Sequence, residues 1–229
     1  MLNSKNPKLR DLLNIEYLES NRAYLKHISP IDKKKLKILF VDDEGFDTEQ
    51  LIRLGYLDVH KMYEYQKMID FEPYDMIFCD INGIARDLDE VYQGAALAKL
   101  IKETYPDKIV VIFSAKQQYL SFNKFYNSVD DIILKNITTT ELVERINHYI
   151  YKQTDPVEFW KMLRNQLLDQ NTSSKVIAEL EHFFVLSIIE DKDYTKNIQN
   201  VTADVDYNKI ANVVNVIINF IRLYLERSS

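Results

Sequence analysis

Residues 37–44 read Lys-Ile-Leu-Phe-Val-Asp-Asp-Glu, an apolar run that stops at three acidic residues. Apolar runs of about four to eight residues are typical of strands that are covered on both faces of a parallel sheet. Three similar runs follow along the chain, and they end at Asp80, at Ser114 and at Lys135. A fifth, weaker strand is predicted near residues 57–62. The chain therefore contains several strands that each end at a polar side chain.

Helical periodicity separates these strands. It is clear over residues 90–104 and again over residues 140–152, where apolar residues recur every three or four positions. Strands that alternate with helices indicate a parallel sheet with helices on both faces. We therefore predict an α/β fold, a doubly wound five-stranded parallel sheet.

The two ends of the chain lack this alternation. All four glycines lie between positions 45 and 94, and the last third of the chain contains one proline, Pro156, after the capping residue Asp155. An α-helical C-terminal domain is therefore predicted. We place an N-terminal helical extension at residues 1–35, with one helix over residues 8–26. An α/β domain follows at 36–152 and a helical output or dimerisation domain at 153–229.

The final predicted helix, residues 207–227, is apolar on most sides. Its polar residues recur at intervals of three and four and form one narrow stripe, which consists of Asn208, Asn212, Asn215, Asn219, Arg222 and Glu226. A helix of this kind must be mostly buried. We favour packing on a second protomer, as a homodimer, or on the N-terminal helix. A static bundle within one chain is the alternative.

Composition excludes several classes of protein. The chain has 29 basic and 35 acidic residues, which argues against a broadly basic nucleic-acid-binding protein. No dinucleotide-binding or P-loop glycine motif occurs. The single cysteine forms no intramolecular disulfide, and the four histidines are scattered. No apolar run approaches the ~20 residues of a membrane span. These features predict a cytoplasmic protein without a membrane segment.

The polar residues at the strand ends form a chemically coherent group. In an open parallel sheet, ligands bind beyond the carboxyl ends of the strands, where Asp42, Asp43, Asp80, Ser114 and Lys135 are expected to converge. Clustered carboxylates repel one another unless a divalent cation lies among them, and an all-oxygen site suits Mg²⁺. A carboxylate that attacks a phosphoryl donor forms an acyl phosphate, whose charge an ammonium and a hydroxyl group stabilise.

Residues 36–152 resemble the receiver domain of two-component response regulators. Four stretches carry the resemblance: KILFVDDE (37–44), MIFCDING (76–83), VVIFSA (110–115) and DIILK (131–135). No single motif is specific, but the matching positions occur in order on four strand ends. The resemblance implies a CheY-like fold and a partner that donates the phosphoryl group, either a sensor histidine kinase or a phosphotransfer protein.

The resemblance also implies roles for individual residues. Asp80 would be the phosphoacceptor, and Mg²⁺ would be bound by Asp42, Asp43, Asp80 and the backbone carbonyl of Asn82. Ser114 would supply the switch hydroxyl, and Lys135 would pair with the phosphoryl group. Ala115 would be the small residue that leaves room for the donor. The protein would then be a signalling protein, not an enzyme, whose helical module binds an unidentified protein partner.

Several positions depart from the receiver pattern. No Met-Pro follows Asp80, about six extra residues (85–90) precede Gly94, Ile132 stands where many receivers have an aromatic residue, and Asn136 replaces the proline after the lysine. These departures motivate a second hypothesis, a pseudo-receiver scaffold that binds proteins without phosphorylation. A DNA-binding regulator with an atypical output is a third, but the acidic terminal segment lacks a basic recognition helix.

Overall fold

The computed structural model of the protein describes residues 13–25, 32–44, 46–115, 125, 128–202 and 207–226. The chain divides into two compact units. We call residues 30–151 the sheet unit, and residues 1–29 together with 152–229 the helical unit. The domain boundaries proposed from the sequence, after residues 35 and 152, stay predictions.

Five parallel strands form the centre of the sheet unit. They are β1 (Lys37–Val41), β2 (Asp58–Met62), β3 (Met76–Cys79), β4 (Ile109–Ser114) and β5 (Asp131–Leu134). Their order across the sheet is β2-β1-β3-β4-β5, and each neighbouring pair is parallel. This is the strand order of doubly wound flavodoxin-like proteins such as CheY. The fold class predicted from the sequence is confirmed.

The helices of the sheet unit occupy the connections between strands. They are α2 (Glu49–Arg53), α3 (Gln93–Thr104) and α4 (Thr139–Thr154), with a short 3₁₀ helix at Met68–Phe71. The last turn of α4 passes into the helical unit. α3 begins three residues later than the periodicity indicated, because residues 85–92 form turns before the helix starts.

Both faces of the central strands are buried, as their continuous apolar sequences require. All residues of β3 and β4 are buried. On one face, the rings of Phe40 and Phe78 stack with centroids 4.8 Å apart, and the ring of Phe113 packs edge-on against both. On the other face, Leu39 and Ile77 belong to a cluster that also contains Ile101 of α3. The sheet is therefore a rigid base for the residues at its carboxyl edge.

The helical unit contains α1 (Ile15–Ser20), α5 (Pro156–Asp169), α6 (Ser174–Glu190), α7 (Thr195–Val201) and α8 (Tyr207–Glu226). The predicted start of α5 is confirmed: Oδ1 of Asp155 accepts hydrogen bonds from the backbone N–H groups of Val157 and Glu158. The sequence also predicted one helix over residues 8–26. Among its described residues, 13–25, the helix covers only α1, and a 3₁₀ turn follows at Arg22–Tyr24.

Polar contacts fix the N-terminal segment on α6. Oε1 of Glu181 accepts a hydrogen bond from the backbone N–H of Ile15, and Oε2 accepts one from Nε1 of Trp160, each at 2.8 Å. Nδ1 of His182 accepts a hydrogen bond from the backbone N–H of Leu13. Desolvation on burial lowers the pKa of His182, which favours the neutral ring that this bond requires. His182 is therefore a buried residue with a structural contact.

The helical unit itself buries much of α8. Eight apolar residues of α8 belong to one core with α1, α5, α6 and α7, and they are Ile210, Val213, Val214, Ile217, Ile218, Phe220, Ile221 and Tyr224. The rings of Phe220 and Phe159 stack with centroids 3.9 Å apart. The polar stripe of α8 is exposed at Asn212, Asn215 and Asn219. Burial of α8 therefore needs no second protomer, and a homodimer stays a prediction.

None of the helices in the described ranges combines the length and the apolar character that a bilayer crossing requires.

Candidate acidic site at the carboxyl ends of the strands

Four strand ends form one edge of the sheet. Asp42 follows β1 and Asp80 follows β3, and the backbone N–H of Asp80 donates to the carbonyl of Val41 at 2.8 Å. On the other side of β3, the backbone N–H of Lys135 donates to the carbonyl of Ser114, also at 2.8 Å. Parallel pairing in this register thus aligns the polar residues that the sequence placed after each strand.

Three carboxylates meet at this edge. Asp42, Asp43 and Asp80 each offer an oxygen atom, and the three atoms lie within 4.8 Å of one another. Asp42 and Asp80 are buried, whereas Asp43 is exposed. A compact set of carboxylate oxygens with an open side matches the preference of Mg²⁺, which binds through a few carboxylates and keeps several waters. The donor set therefore fits Mg²⁺.

The ammonium group of Lys135 bridges two of these carboxylates. Its Nζ lies 2.6 Å from Oδ2 of Asp42 and 2.7 Å from Oδ2 of Asp80. Burial alone lowers the pKa of Lys135, but the hydrogen bonds to Asp42 and Asp80 outweigh it and raise the pKa overall. The side chain is thus charged at neutral pH and offsets part of the negative charge at the edge.

The environment of Asp80 is unfavourable to a charge on its carboxylate. Desolvation raises its pKa, the bonds to Lys135 and to the backbone N–H of Ile81 oppose this change, and the charge of Asp42 raises the pKa further. The net result is a raised pKa. A desolvated carboxylate is a stronger nucleophile than a hydrated one when it is ionised, and added positive charge at the edge would favour that form.

The other residues proposed from the sequence lie near the same edge. Ser114 is buried at the end of β4, and Ala115 after it is exposed. Asn82 is exposed, two residues after Asp80. Ile132 is partly buried on β5. Their positions are compatible with the proposed roles, which remain proposals.

Two glycines allow close approach of backbone to the acidic residues. A Cβ on Gly83, whose φ is +83°, would lie 1.8 Å from Oδ2 of Asp43. A Cβ on Gly94 would lie 1.8 Å from the backbone oxygen of Asp80. No side chain fits at either position without displacing an acidic residue of the site or its backbone.

Sequence reasoning missed two polar side chains that hold the loop after Asp80. Oε1 of Gln93 accepts a hydrogen bond from the backbone N–H of Gly83 at 2.9 Å. Oε1 of Glu64, on the loop after β2, accepts one from the backbone N–H of Ala85 at 3.0 Å. Each contact joins residues ten or more positions apart, so no local pattern in the sequence reveals it.

The raised pKa of Asp80 predicts how stability depends on pH without Mg²⁺. The folded protein keeps a proton on Asp80 at pH values where the unfolded chain has lost it, so folding binds a proton in this window. Wild-type stability should therefore fall, relative to Asp80→Asn, as the pH rises from about 4 through the raised pKa.

Urea unfolding at pH 3 and pH 7 checks this prediction. Asp80→Asn should have the higher midpoint at pH 7, and the difference should vanish at about pH 3, where Asp80 is protonated in both states. Asp87→Asn, at an exposed carboxylate outside the site, is the matched control. A wild type that is the more stable protein at pH 7 would show that charge on Asp80 stabilises the fold.

Comparisons with known proteins identify similar solved structures only. No protein-family model matches the chain, and no curated protein is significantly similar to it in sequence. The BeF3-activated receiver domain of DrrB is 22% identical, with a TM-score of 0.38, over 50% of this chain and 97% of that one. A CheY-like receiver domain from Methanospirillum hungatei JF-1 is 21% identical, with a TM-score of 0.38, over 52% of this chain and 96% of that one.

A third similar structure covers more of this chain than the two receiver domains do. Full-length FixJ from B. japonicum is 14% identical, with a TM-score of 0.40, over 83% of this chain and 97% of that one. The identities of all three structures are low. The fold is therefore assigned from the strand order and parallel pairing of this chain's own sheet.

Proposed function

We propose that the protein is a response-regulator-like signalling protein that accepts a phosphoryl group on Asp80 with Mg²⁺ and transmits the change to its helical unit. One observation carries the proposal. A desolvated carboxylate, Asp80, lies within 4.8 Å of two further carboxylates and 2.7 Å from the ammonium of Lys135. This group combines a nucleophile, the ligands of a divalent cation and a fixed positive charge.

The chemical step needs only a phosphoryl donor of the acyl phosphate or phosphohistidine class. An oxygen of Asp80 forms the new bond to phosphorus while the bond from phosphorus to the donor's leaving group breaks, and the leaving group departs with the electron pair. When bound to Asp42, Asp43, Asp80 and the Asn82 carbonyl, Mg²⁺ supplies positive charge next to the phosphoryl oxygens. The donor would be a sensor histidine kinase or a phosphotransfer protein.

Lys135 and Ser114 act on the product. Lys135 bridges Asp42 and Asp80, so its ammonium is already at the edge where the added negative charge appears. The hydroxyl of Ser114, on the neighbouring strand end, is the proposed second donor to the phosphoryl group. Both side chains would follow the new charge and change the surface near β4 and β5. Ala115 leaves space for the donor.

The helical unit is the proposed output. Helix α4 begins five residues after β5 ends, and the chain enters the helical unit through the last turn of this helix. We propose that it binds a protein partner, or a second copy of itself, in a way that depends on phosphorylation. The acidic character of the chain argues against DNA as the target. In this account the protein is a signalling component, not an enzyme.

A specific observation favours a second candidate, a pseudo-receiver scaffold. The bridge from Lys135 to Asp42 and Asp80 already compensates charge at the edge. A receiver-like protein of this kind would fold and bind partners without Mg²⁺ or phosphorylation. Affinity for Mg²⁺ that depends on Asp80 would count against this candidate.

The experiment that tests the proposed function measures whether phosphorylation changes the helical unit. The full chain is incubated with Mg²⁺ and a small acyl phosphate donor, and molar mass by light scattering and backbone hydrogen exchange are recorded for wild type and Asp80→Asn. A change in molar mass or in exchange within residues 152–226 of the wild type alone supports transmission. Equal behaviour of both proteins, with Asp80 phosphorylated, contradicts it.

A further inference from the structure

The loop after Asp80 is held at two points that flank Asn82. Oε1 of Gln93 accepts a hydrogen bond from the backbone N–H of Gly83 at 2.9 Å. The backbone N–H of Gly94, the next residue along the chain, donates to the carbonyl of Ile81 at 3.0 Å. Two consecutive residues at the start of α3 therefore hold the peptide group before Asn82 and the peptide group after it.

The contact from Gln93 determines where the carbonyl group of Asn82 points. The N–H of Gly83 and the C=O of Asn82 belong to one peptide group. No cis peptide bond occurs in the described chain, so the two bonds point in opposite directions. Because Gln93 holds the N–H on its own side, the carbonyl oxygen of Asn82 is directed away from Gln93.

This peptide group lies beside the acidic site. The Cα of Gly83 is so close to Asp43 that a Cβ there would lie 1.8 Å from Oδ2 of Asp43. The backbone of Gly94 is equally close to the carbonyl oxygen of Asp80. The segment that Gln93 orients thus packs against Asp43, one of the three carboxylates that fit Mg²⁺.

The extra residues of the loop, 85–90, hold Gln93 in place through hydrogen bonds. Its φ of +41° is a conformation that residues other than glycine rarely adopt. Its backbone N–H donates to the carbonyl of Asp89 at 2.9 Å, and its Nε2 donates to the carbonyl of Glu90 at 3.2 Å. The acceptor Oε1 is thereby left facing Gly83. A strained residue that its neighbours hold in this way is typical of a functional position.

We propose that Gln93 is a positioning residue that fixes the carbonyl of Asn82 as a ligand for Mg²⁺. The inference rests on the metal site of the proposed function, and it assigns a role to the extra residues of the loop. Gln93 itself is not one of the proposed metal ligands. Its side chain sets the geometry of a backbone ligand, and residues in that relation to a metal site typically change its affinity about 10–100-fold when they are replaced.

The test measures Mg²⁺ affinity of the full chain by calorimetry for wild type and three variants. Gln93→Met keeps the length of the side chain and removes the acceptor, so we expect affinity to fall about tenfold. Gln93→Glu keeps an acceptor oxygen for Gly83 but loses the Nε2 donor to the carbonyl of Glu90, so we expect affinity above that of Gln93→Met. Gln199→Met makes the same change at an exposed glutamine of α7, in the helical unit, so it is the matched control.

A second readout needs no metal. Hydrogen exchange at the amide of Gly83 should be faster in Gln93→Met than in wild type, and should stay slow in Gln93→Glu, both without Mg²⁺. Melting temperatures of all variants show whether the fold is retained. Faster exchange with an unchanged Mg²⁺ affinity would leave Gln93 as a loop contact and overturn the proposed role.

The outcomes separate this inference from the proposed function. Tight Mg²⁺ binding by wild type and equally tight binding by Gln93→Met overturns the role of Gln93 and leaves phosphoacceptance intact. Weakened binding by Gln93→Met, in a protein whose Asp80 accepts no phosphoryl group, supports the role of Gln93 and contradicts the function. A wild type that binds no Mg²⁺ overturns both.

Discussion

Replacement of Asp43 by asparagine is expected to weaken Mg²⁺ binding by at least about 100-fold and to slow phosphorylation of Asp80 accordingly. The reason is electrostatic. A unit charge about 4 Å from another contributes roughly 4 kcal/mol at an effective dielectric constant of about 20, and a divalent ion doubles this figure before desolvation is subtracted. Half of this doubled figure, about 4 kcal/mol, still exceeds the ~2.7 kcal/mol that corresponds to a factor of 100.

The chain offers a matched control for this experiment. Glu44 is the neighbouring residue, is also exposed, and is not one of the three carboxylates that meet at the edge. Glu44→Gln should therefore bind Mg²⁺ nearly as tightly as wild type. Because Asp43 is exposed, Asp43→Asn should also fold normally. Calorimetric affinities that are equal in wild type, Asp43→Asn and Glu44→Gln would contradict a metal site at this edge and favour the scaffold.

Replacement of Lys135 by methionine is expected to lower the free energy of unfolding by about 1–3 kcal/mol at neutral pH without Mg²⁺. The variant leaves the buried carboxylates Asp42 and Asp80 without the ammonium that bridges them. Loss of one partner of a fully buried ion pair costs about 3–5 kcal/mol, and we lower this figure because Lys135 is partly exposed. Saturating Mg²⁺ should restore most of the loss, since the cation supplies the missing charge.

Urea unfolding with and without Mg²⁺ measures both effects. Lys99→Met is the control, because Lys99 is an exposed lysine whose Nζ lies 3.6 Å from Oε1 of Glu103 on α3. Such a surface pair contributes under about 0.5 kcal/mol. The deficit of Lys135→Met should shrink as the pH falls through the raised pKa of Asp80, since a protonated Asp80 needs no counter-charge. A deficit that Mg²⁺ leaves unchanged would contradict the placement of the metal beside Lys135.

The sheet was predictable because its strands are buried on both faces. Continuous apolar runs such as residues 37–41 are incompatible with solvent, so the sequence alone indicates central parallel strands. β2 was the weakest prediction because it is an edge strand on which no residue is fully buried and His60 and Lys61 are exposed. Strand ends were predictable from the abrupt change to acidic or polar residues, which is why the amino-acid pattern alone indicates Asp42 and Asp80.

The loop after Asp80 was not predictable in the same way. Gln93 and Glu64 act through hydrogen bonds to backbone groups ten and twenty-one residues away. Such contacts depend on the path of the chain, and a single glutamine or glutamate has no pattern that reveals them. The residues that pack around α8 could also not be predicted from the sequence. Its exposed stripe is evident from residue spacing, but the burial of its other sides depends on how α5, α6 and α7 pack against it.

The intact mass of the protein after incubation with a small acyl phosphate donor tests the central claim most directly. Four samples are compared: wild type with Mg²⁺, wild type with a chelator, Asp80→Asn with Mg²⁺, and Asp87→Asn with Mg²⁺. We predict a gain of one phosphoryl group in wild type and Asp87→Asn with Mg²⁺, and no gain in the other two. An unmodified wild type, or an equal gain in Asp80→Asn, would contradict the assignment of Asp80 as a phosphoacceptor.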